Sequence, residues 1–452
     1  MALKQMDALA ALREAAGEVI ETSLCDVQGS WLALVNTEEG KRLAFAAKGE
    51  AALSALWKDV EKEADVKDVH VSVMALNANN AALVRRYVKW TAPTACGTKG
   101  ASIGFSDWLG EADAVVAELF GKRQLKPVLV DFTTEDSEAL QRYFVQAVDT
   151  VTWGVLEEGY KEGYGANAAG LKTEEEIVKA LLYGYSMIGF DCSDKIDLGI
   201  EKLSDEAVDK RFEQFNETFR AALHASYLNA EFKVGTSKIT FTENQLHRIV
   251  LEYGEAIMHI QFIYNSYLKN TPWDIDFELD LSKPGKVLTP QEHYLIGNEL
   301  QRNGIKLSSI CLDPLKDSEA VNDNLQLHCE IADTFGYRLS FKNADIAMND
   351  TAAAMKYLKG KVHFKMNNIL WMSAIELVKA LDADLFGKLC AACGCEATAD
   401  AADRALVLGY RKALNPKEES NVAADMKAFL EAHHAEYAAA IKENVAAKLK
   451  NI

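Results

Sequence analysis

Acid, amide and cationic side chains recur at the ends of short apolar runs in this chain: Asp131, Asn167, Asp191, Glu278 with Asp280, Asp313, Lys342 with Asn343, and His363 with Lys365 and Asn367. Together they suit acid–base work on a polyhydroxy, anionic ligand. A carboxylate such as Glu278 can take or return a proton at a sugar carbinol or enolate; its alternative is an ordinary ion pair in the same place. Lys342 can hold a carboxylate or, if desolvated, attack a ketone as a free amine. His363 and Lys365 are two residues apart, so on a strand both point to one side and can clasp a sugar acid. The competing reading of that pair is a supporting histidine and an internal salt bridge. His293 follows Thr289-Pro290, a helix-start pattern that places it in the first helical turn.

Other chemistries find no motif. The phosphate-cradling glycine patterns of nucleotide enzymes are missing, as is a serine nucleophile elbow. The cluster Cys390, Cys393 and Cys395 can be read as part of a zinc site or as small apolar residues at a helix end. With no second metal-like pair nearby, packing is the expectation. The remaining cysteines are scattered and form no disulfide framework.

The elements that must position these residues show a regular rhythm. Short apolar or β-branched runs at 101–105, 127–132, 165–168, 186–191, 275–281, 305–312, 337–342 and 361–366 alternate with helical stretches, the pattern of parallel β/α units. Eight such runs predict an α/β fold, a TIM-like (β/α)8 barrel over 96–380, with a helical insertion around 200–270. An open doubly wound sheet is the competing fold. Residues 1–95 are expected to form an N-terminal α/β addition: a helix over 1–21, a hairpin of 31–35 with 42–46, a helix around 51–64 and a strand at 70–75. Residues 381–452 are expected to form a helical tail. A barrel concentrates function at the C-terminal ends of its strands, where the polar residues above fall.

Composition narrows the function classes. The chain has 452 residues and a formal charge of −18, which disfavours nucleic acid as a partner. No apolar stretch reaches the length of a membrane span and the N-terminus lacks a signal-peptide core, so a cytoplasmic location without a membrane partner is expected. A homo-oligomer is the expectation for such a protein.

Several blocks resemble the tagaturonate/fructuronate epimerases, enzymes that interconvert two ketohexuronates with help from a divalent metal. They are Gly104-Phe-Ser-Asp-Trp-Leu-Gly110, Val151 to Tyr160 followed by Gly165 to Thr173, Phe277-Glu278 through Thr289-Pro-Gln-Glu-His293 to Leu300, Leu339-Ser-Phe-Lys342, and His363-Phe-Lys365 with Trp371. Their order covers roughly residues 100–380. The resemblance implies catalytic roles for Glu278 and Lys342, substrate binding by Asp107, Lys172, His363 and Lys365, and metal binding by His293 with Asp345. It also carries departures. The family block G-A-D-A-D-H-L-K-T reads Gly165-Ala-Asn-Ala-Ala-Gly-Leu-Lys-Thr173 here, and the family's H-S-G-S-D-K begins with Lys342. Two histidines able to bind metal are thereby replaced, one by a lysine that repels a cation. The expectation is a divergent ketohexuronate epimerase or isomerase taking a small sugar acid. The alternative is a catalytically inactive homologue with a binding, regulatory or structural role.

Overall fold

A computed structural model describes residues 2–49, 53–121, 125–281, 288–315, 318–348, 351–450 and 452, with the side chains of 318–322 left aside. Its first helix, Gln5–Ala15, buries Ala8, Ala11, Leu12 and Ala15, a spacing that puts small apolar residues on one face. That face covers an antiparallel sheet of β1 (Glu18–Val27), β2 (Ser30–Thr37), β3 (Gly40–Lys48), β4 (Val60–Val66) and β5 (Val69–Met74), ordered β1-β2-β3-β5-β4. The sheet's other face, through Phe45 and Trp57, packs toward Leu156 on the helix Phe144–Glu158.

Two sequence expectations are corrected here. The first helix stops at Ala15, because Gly17 adopts φ +112 and a Cβ there would lie 2.9 Å from the Asn36 carbonyl oxygen. The segment expected to be helical around 51–64 contains, among its described residues, only a single 3-10 turn at Ser54–Leu56 and the strand β4. Asp59 at φ +51 breaks any helix, and pairing with β5 overrides the helical propensity of Glu61, Lys62 and Glu63. Those exposed charges mark β4 as an edge strand protected against further pairing.

Each of the eight expected runs coincides in whole or part with a barrel strand: β6 (Ser102–Phe105), β7 (Lys126–Thr133), β8 (Gly165–Leu171), β9 (Met187–Asp191), β12 (Asp276–Asp280), β13 (Ser309–Leu312), β14 (Arg338–Phe341) and β15 (Val362–Met366). The small hairpin β10 (Phe232–Val234) with β11 (Ser237–Ile239) belongs to the helical excursion between β9 and β12. All barrel neighbours are parallel, and β15 pairs with β6, which closes the cylinder and excludes the open sheet. Helices carry the chain from strand to strand, and no helix among the described residues is long and apolar enough to cross a membrane.

The barrel interior is unusually polar. Barrels are commonly filled by layers of branched aliphatic residues, whereas here Ser102, Asp131, Asn167, Glu278, Ser309, Arg338, Ser340, His363 and Lys365 are all buried and hydrogen-bond or ion-pair across it. At its entry end Asp276 accepts from the backbone N–H of Cys96 at 2.6 Å and of Gly97 at 3.1 Å, tying the incoming loop to β12. Glycine at 104 makes room for charge: a Cβ there would lie 2.5 Å from Asp131 Oδ2. Gly104→Ala is therefore expected to cost roughly 1–3 kcal/mol in denaturant unfolding. Unchanged stability would show that this close approach is not a constraint.

Candidate active site

Buried charge organises the strand ends. Lys365, projecting from β15, donates to Glu278 Oε1 at 2.5 Å and lies 3.7 Å from Asp131 Oδ1. Glu278 Oε2 accepts from Ser309 Oγ at 2.9 Å and from Ser340 Oγ. Asp131 Oδ1 accepts from Asn167 Nδ2 at 2.9 Å. The three charged side chains come from β15, β12 and β7, so only closure of the barrel brings them together. Beneath them His363 is fully enclosed. Its Nδ1 meets Ser102 Oγ at 2.9 Å, and that oxygen accepts from Arg338 at 2.7 Å. The other ring nitrogen, Nε2, faces Asp131 Oδ2 at 3.9 Å.

Electrostatics separate the two carboxyls. Desolvation pushes Glu278 up, but the Lys365 ammonium outweighs it, with His363 and Ser340 adding to the effect, and Glu278 sits below the ordinary carboxylate value. Asp131 moves the other way: burial raises it, Lys365 only partly offsets that, and the Glu278 charge raises it further. Burial pulls Lys365 down, yet Asp131 and Glu278 hold it well above the ordinary lysine value.

Above this floor opens a cavity of about 670 Å³. Asp131, Glu278 and Lys365 line it, as do Asp191, Asp280, Asp313, Lys342 and Asn367. Lys342 donates to Asp280 Oδ2, and although burial lowers its pKa, Asp280 keeps it raised. Lys172 stands at the rim, 3.1 Å from Asp194 Oδ1 and 3.7 Å from Asp191 Oδ2. The far wall comes from the tail. Tyr410 stacks on Trp108 with ring centroids 3.3 Å apart and donates to Asp136 at 2.5 Å, while Arg411 donates to the same Asp136 oxygen at 2.8 Å.

Among the residues singled out from the sequence, Glu278, Lys342, Lys365 and Lys172 share this cavity. His363 supports it from below. Asp107 lies outside its lining; its carboxylate accepts from the Gly110 and Ala112 N–H groups and shapes a turn. The expected metal pair does not form. His293 is enclosed between helices, with Nδ1 2.9 Å from His328 and Nε2 2.8 Å from the Tyr337 hydroxyl. Asp345 spends both carboxylate oxygens on Asn368. Sequence reasoning also passed over Arg338, Ser102, Ser309 and Ser340, whose signal was the period-two recurrence of small or polar residues in apolar strands. It passed over Trp108, Asp136, Tyr410 and Arg411 as well, and for the tail residues no local pattern marks a contact with the mouth.

The model of the tagaturonate epimerase (UxaE) family matches residues 20–437. The chain belongs to this family. A tagaturonate/fructuronate epimerase of Thermotoga maritima is 27% identical over 383 residues, which is 82% of this chain and 78% of that protein. The glycerol-complexed crystal structure of the fructuronate-tagaturonate epimerase UxaE from Cohnella laeviribosi superposes with a TM-score of 0.86 at 25% identity, covering 99% of each chain. The native crystal structure of that enzyme, at 24% identity and a TM-score of 0.85, has the same fold.

In this member of the tagaturonate epimerase family, the mouth does not fit the divalent metal that the resemblance implies. Glu278 and Asp280 are each already neutralised by an ammonium group, and a dication at Asp131 would face Lys365 at close range. Among the described residues no histidine lines the cavity, and no three of its Asp or Glu side chains bring ligand atoms within 4.8 Å of one another.

The enclosed histidine gives the site a pH signature. Desolvation lowers His363 from 6.5 to about 3. Between those values the unfolded chain binds a proton that the folded chain refuses, so stability falls as pH drops from 6.5 toward 3. Urea midpoints measured from neutral pH down to pH ~5 are expected to fall in the wild type and to fall less steeply in His363→Gln. His328, lowered to about 4, keeps the residual slope above zero. An unchanged slope in the variant would contradict a neutral His363.

Proposed function

We propose that this chain interconverts ketohexuronates, as its named relatives do, and that lysine ammonium groups carry the electrostatic work at its mouth. Inversion of a carbinol centre proceeds through proton loss from carbon or through carbon–carbon cleavage and re-closure. Either route needs an acid–base pair at the carbinol and a cation beside the oxygen that becomes negative. Two carboxyls whose environments push them in opposite directions are suited to that division of labour. Glu278, held ionised by Lys365, accepts the proton. Asp131, whose proton affinity burial raises, is the better placed of the two to give one. Lys365 lies between them and stabilises the developing negative charge.

Lys342, a quarter exposed and paired with Asp280, faces the same cavity. Its raised pKa keeps it a cation at neutral pH, which favours holding a substrate carboxylate over attack on the ketone as a free amine. The single observation that carries this reading is the buried lysine shared by two carboxylates of opposite pKa shift at the floor of a cavity, in a chain of the epimerase family.

The test is interconversion of tagaturonate and fructuronate followed by NMR, with and without a chelator. Turnover is expected to survive chelation. Glu278→Gln is expected to lower kcat by roughly 10²- to 10⁴-fold, and Lys342→Met to raise KM more than it lowers kcat. Turnover that depends on an added divalent ion would remove the lysine account. Absence of turnover under every condition would favour the inactive homologue.

A further inference from the structure

Away from the barrel mouth, the helical excursion between β9 and β12 gathers two histidines and a carboxylate at one point. His224 lies on the helix Glu217–Tyr227, and Glu243 and His247 lie on the helix Glu243–Ile263. Four residues apart, Glu243 and His247 share a helix face. The Nε2 atoms of His224 and His247 are 2.8 Å apart, and Glu243 Oε1 lies 4.0 Å from His224 Nε2. One ligand atom from each of the three falls within 4.8 Å of the others. None of the three lines the mouth cavity.

We infer that His224, His247 and Glu243 form a binding site for a borderline transition-metal ion such as Zn²⁺, separate from the active site. Asp209, on the helix Asp205–Phe212, accepts from His247 Nδ1 at 2.7 Å. That bond puts the His247 ring proton on Nδ1 and leaves the Nε2 lone pair bare toward His224, the arrangement a metal-bound histidine takes with a supporting carboxylate. Phe212 stacks on both rings, 3.7 Å from His247 and 5.6 Å from His224 between centroids, and so fixes their planes.

The chemistry selects the ion. Two imidazoles and one carboxylate suit zinc, cobalt or nickel, whereas magnesium and calcium favour all-oxygen sets. Zinc bonds of about 2.0–2.1 Å to nitrogen require the two Nε2 atoms to part by a few tenths of an ångström. A small turn of His224, whose side chain is 32% exposed, supplies that movement. Glu243 is more exposed still, so the site is open to entry and leaves room for a water at the fourth position. With Asp209 included, the ion would pin three helices of the excursion together, a structural role.

The experiment uses full-length, metal-stripped protein titrated with ZnCl2 by calorimetry, with the thermal midpoint recorded alongside. Added CoCl2 reports ligand geometry through its visible absorption. Wild type is expected to take up one zinc equivalent at this site, gain thermal stability and give a four-coordinate cobalt spectrum. His224→Gln and Glu243→Gln are expected to lose that equivalent while retaining wild-type circular dichroism. Asp209→Asn is expected to weaken it by roughly 10- to 100-fold. Should one variant misfold, the other two still decide the matter. Zinc uptake that is absent in wild type, or undiminished in the folded variants, would overturn the inference.

Discussion

A lysine ammonium group in the middle of a barrel is the constraint on which the rest of this structure depends. Taking such an ion out of water costs several kcal/mol unless opposite charge and hydrogen bonds replace the lost solvation. Lys365 obtains them from Glu278 and Asp131, and Glu278 in turn needs Ser309 and Ser340. Asp131 needs Asn167 beside it and the missing side chain of Gly104 below it. These residues come from seven strands. The closure of the barrel and the neutralisation of its interior are therefore mutually dependent, and removing one member leaves another charge buried without a partner.

The same constraint shapes the mouth. Carboxylates already held by ammonium groups are poor ligands for a second cation, whereas ammonium groups beside open space favour an anion. Lys342 repeats, nearer to solvent, the pairing that Lys365 makes at depth. The tail completes the enclosure, with Tyr410 laid flat on Trp108 and Arg411 anchored on Asp136. A segment with no part in the barrel ladder thus sets one wall of the cavity.

Much of the frame was legible in the sequence because strand length, β-branched runs and intervening helical stretches are local signals. Seven barrel strands were visible for that reason; the run at Gly165–Ala168, where alanine and glycine carry little strand propensity, read equally as a loop, and only its place in the alternation marked the strand Gly165–Leu171. Glu61, Lys62 and Glu63 misled because their propensity is helical while their pairing with β5 is not local. The candidate site was half legible. Period two placed His363 and Lys365 on one side of β15, and family blocks drew attention to Glu278 and Lys342. That His363 would be enclosed, that His293 would face His328 and Tyr337 between helices, and that Tyr410 would reach the mouth all depend on contacts between distant segments, which no local pattern encodes.

Lys365 holds Glu278 ionised while burial and the Glu278 charge keep Asp131 raised, and the most direct test is a pH titration of their carboxyl carbons by NMR in protein with ¹³C-labelled Asp and Glu, assigned with Glu278→Gln and Asp131→Asn. The account predicts that Glu278 titrates below the ordinary carboxylate range and Asp131 above it, with the low value of Glu278 lost in Lys365→Met. Two carboxyls that titrate together, or in the reverse order, would contradict it.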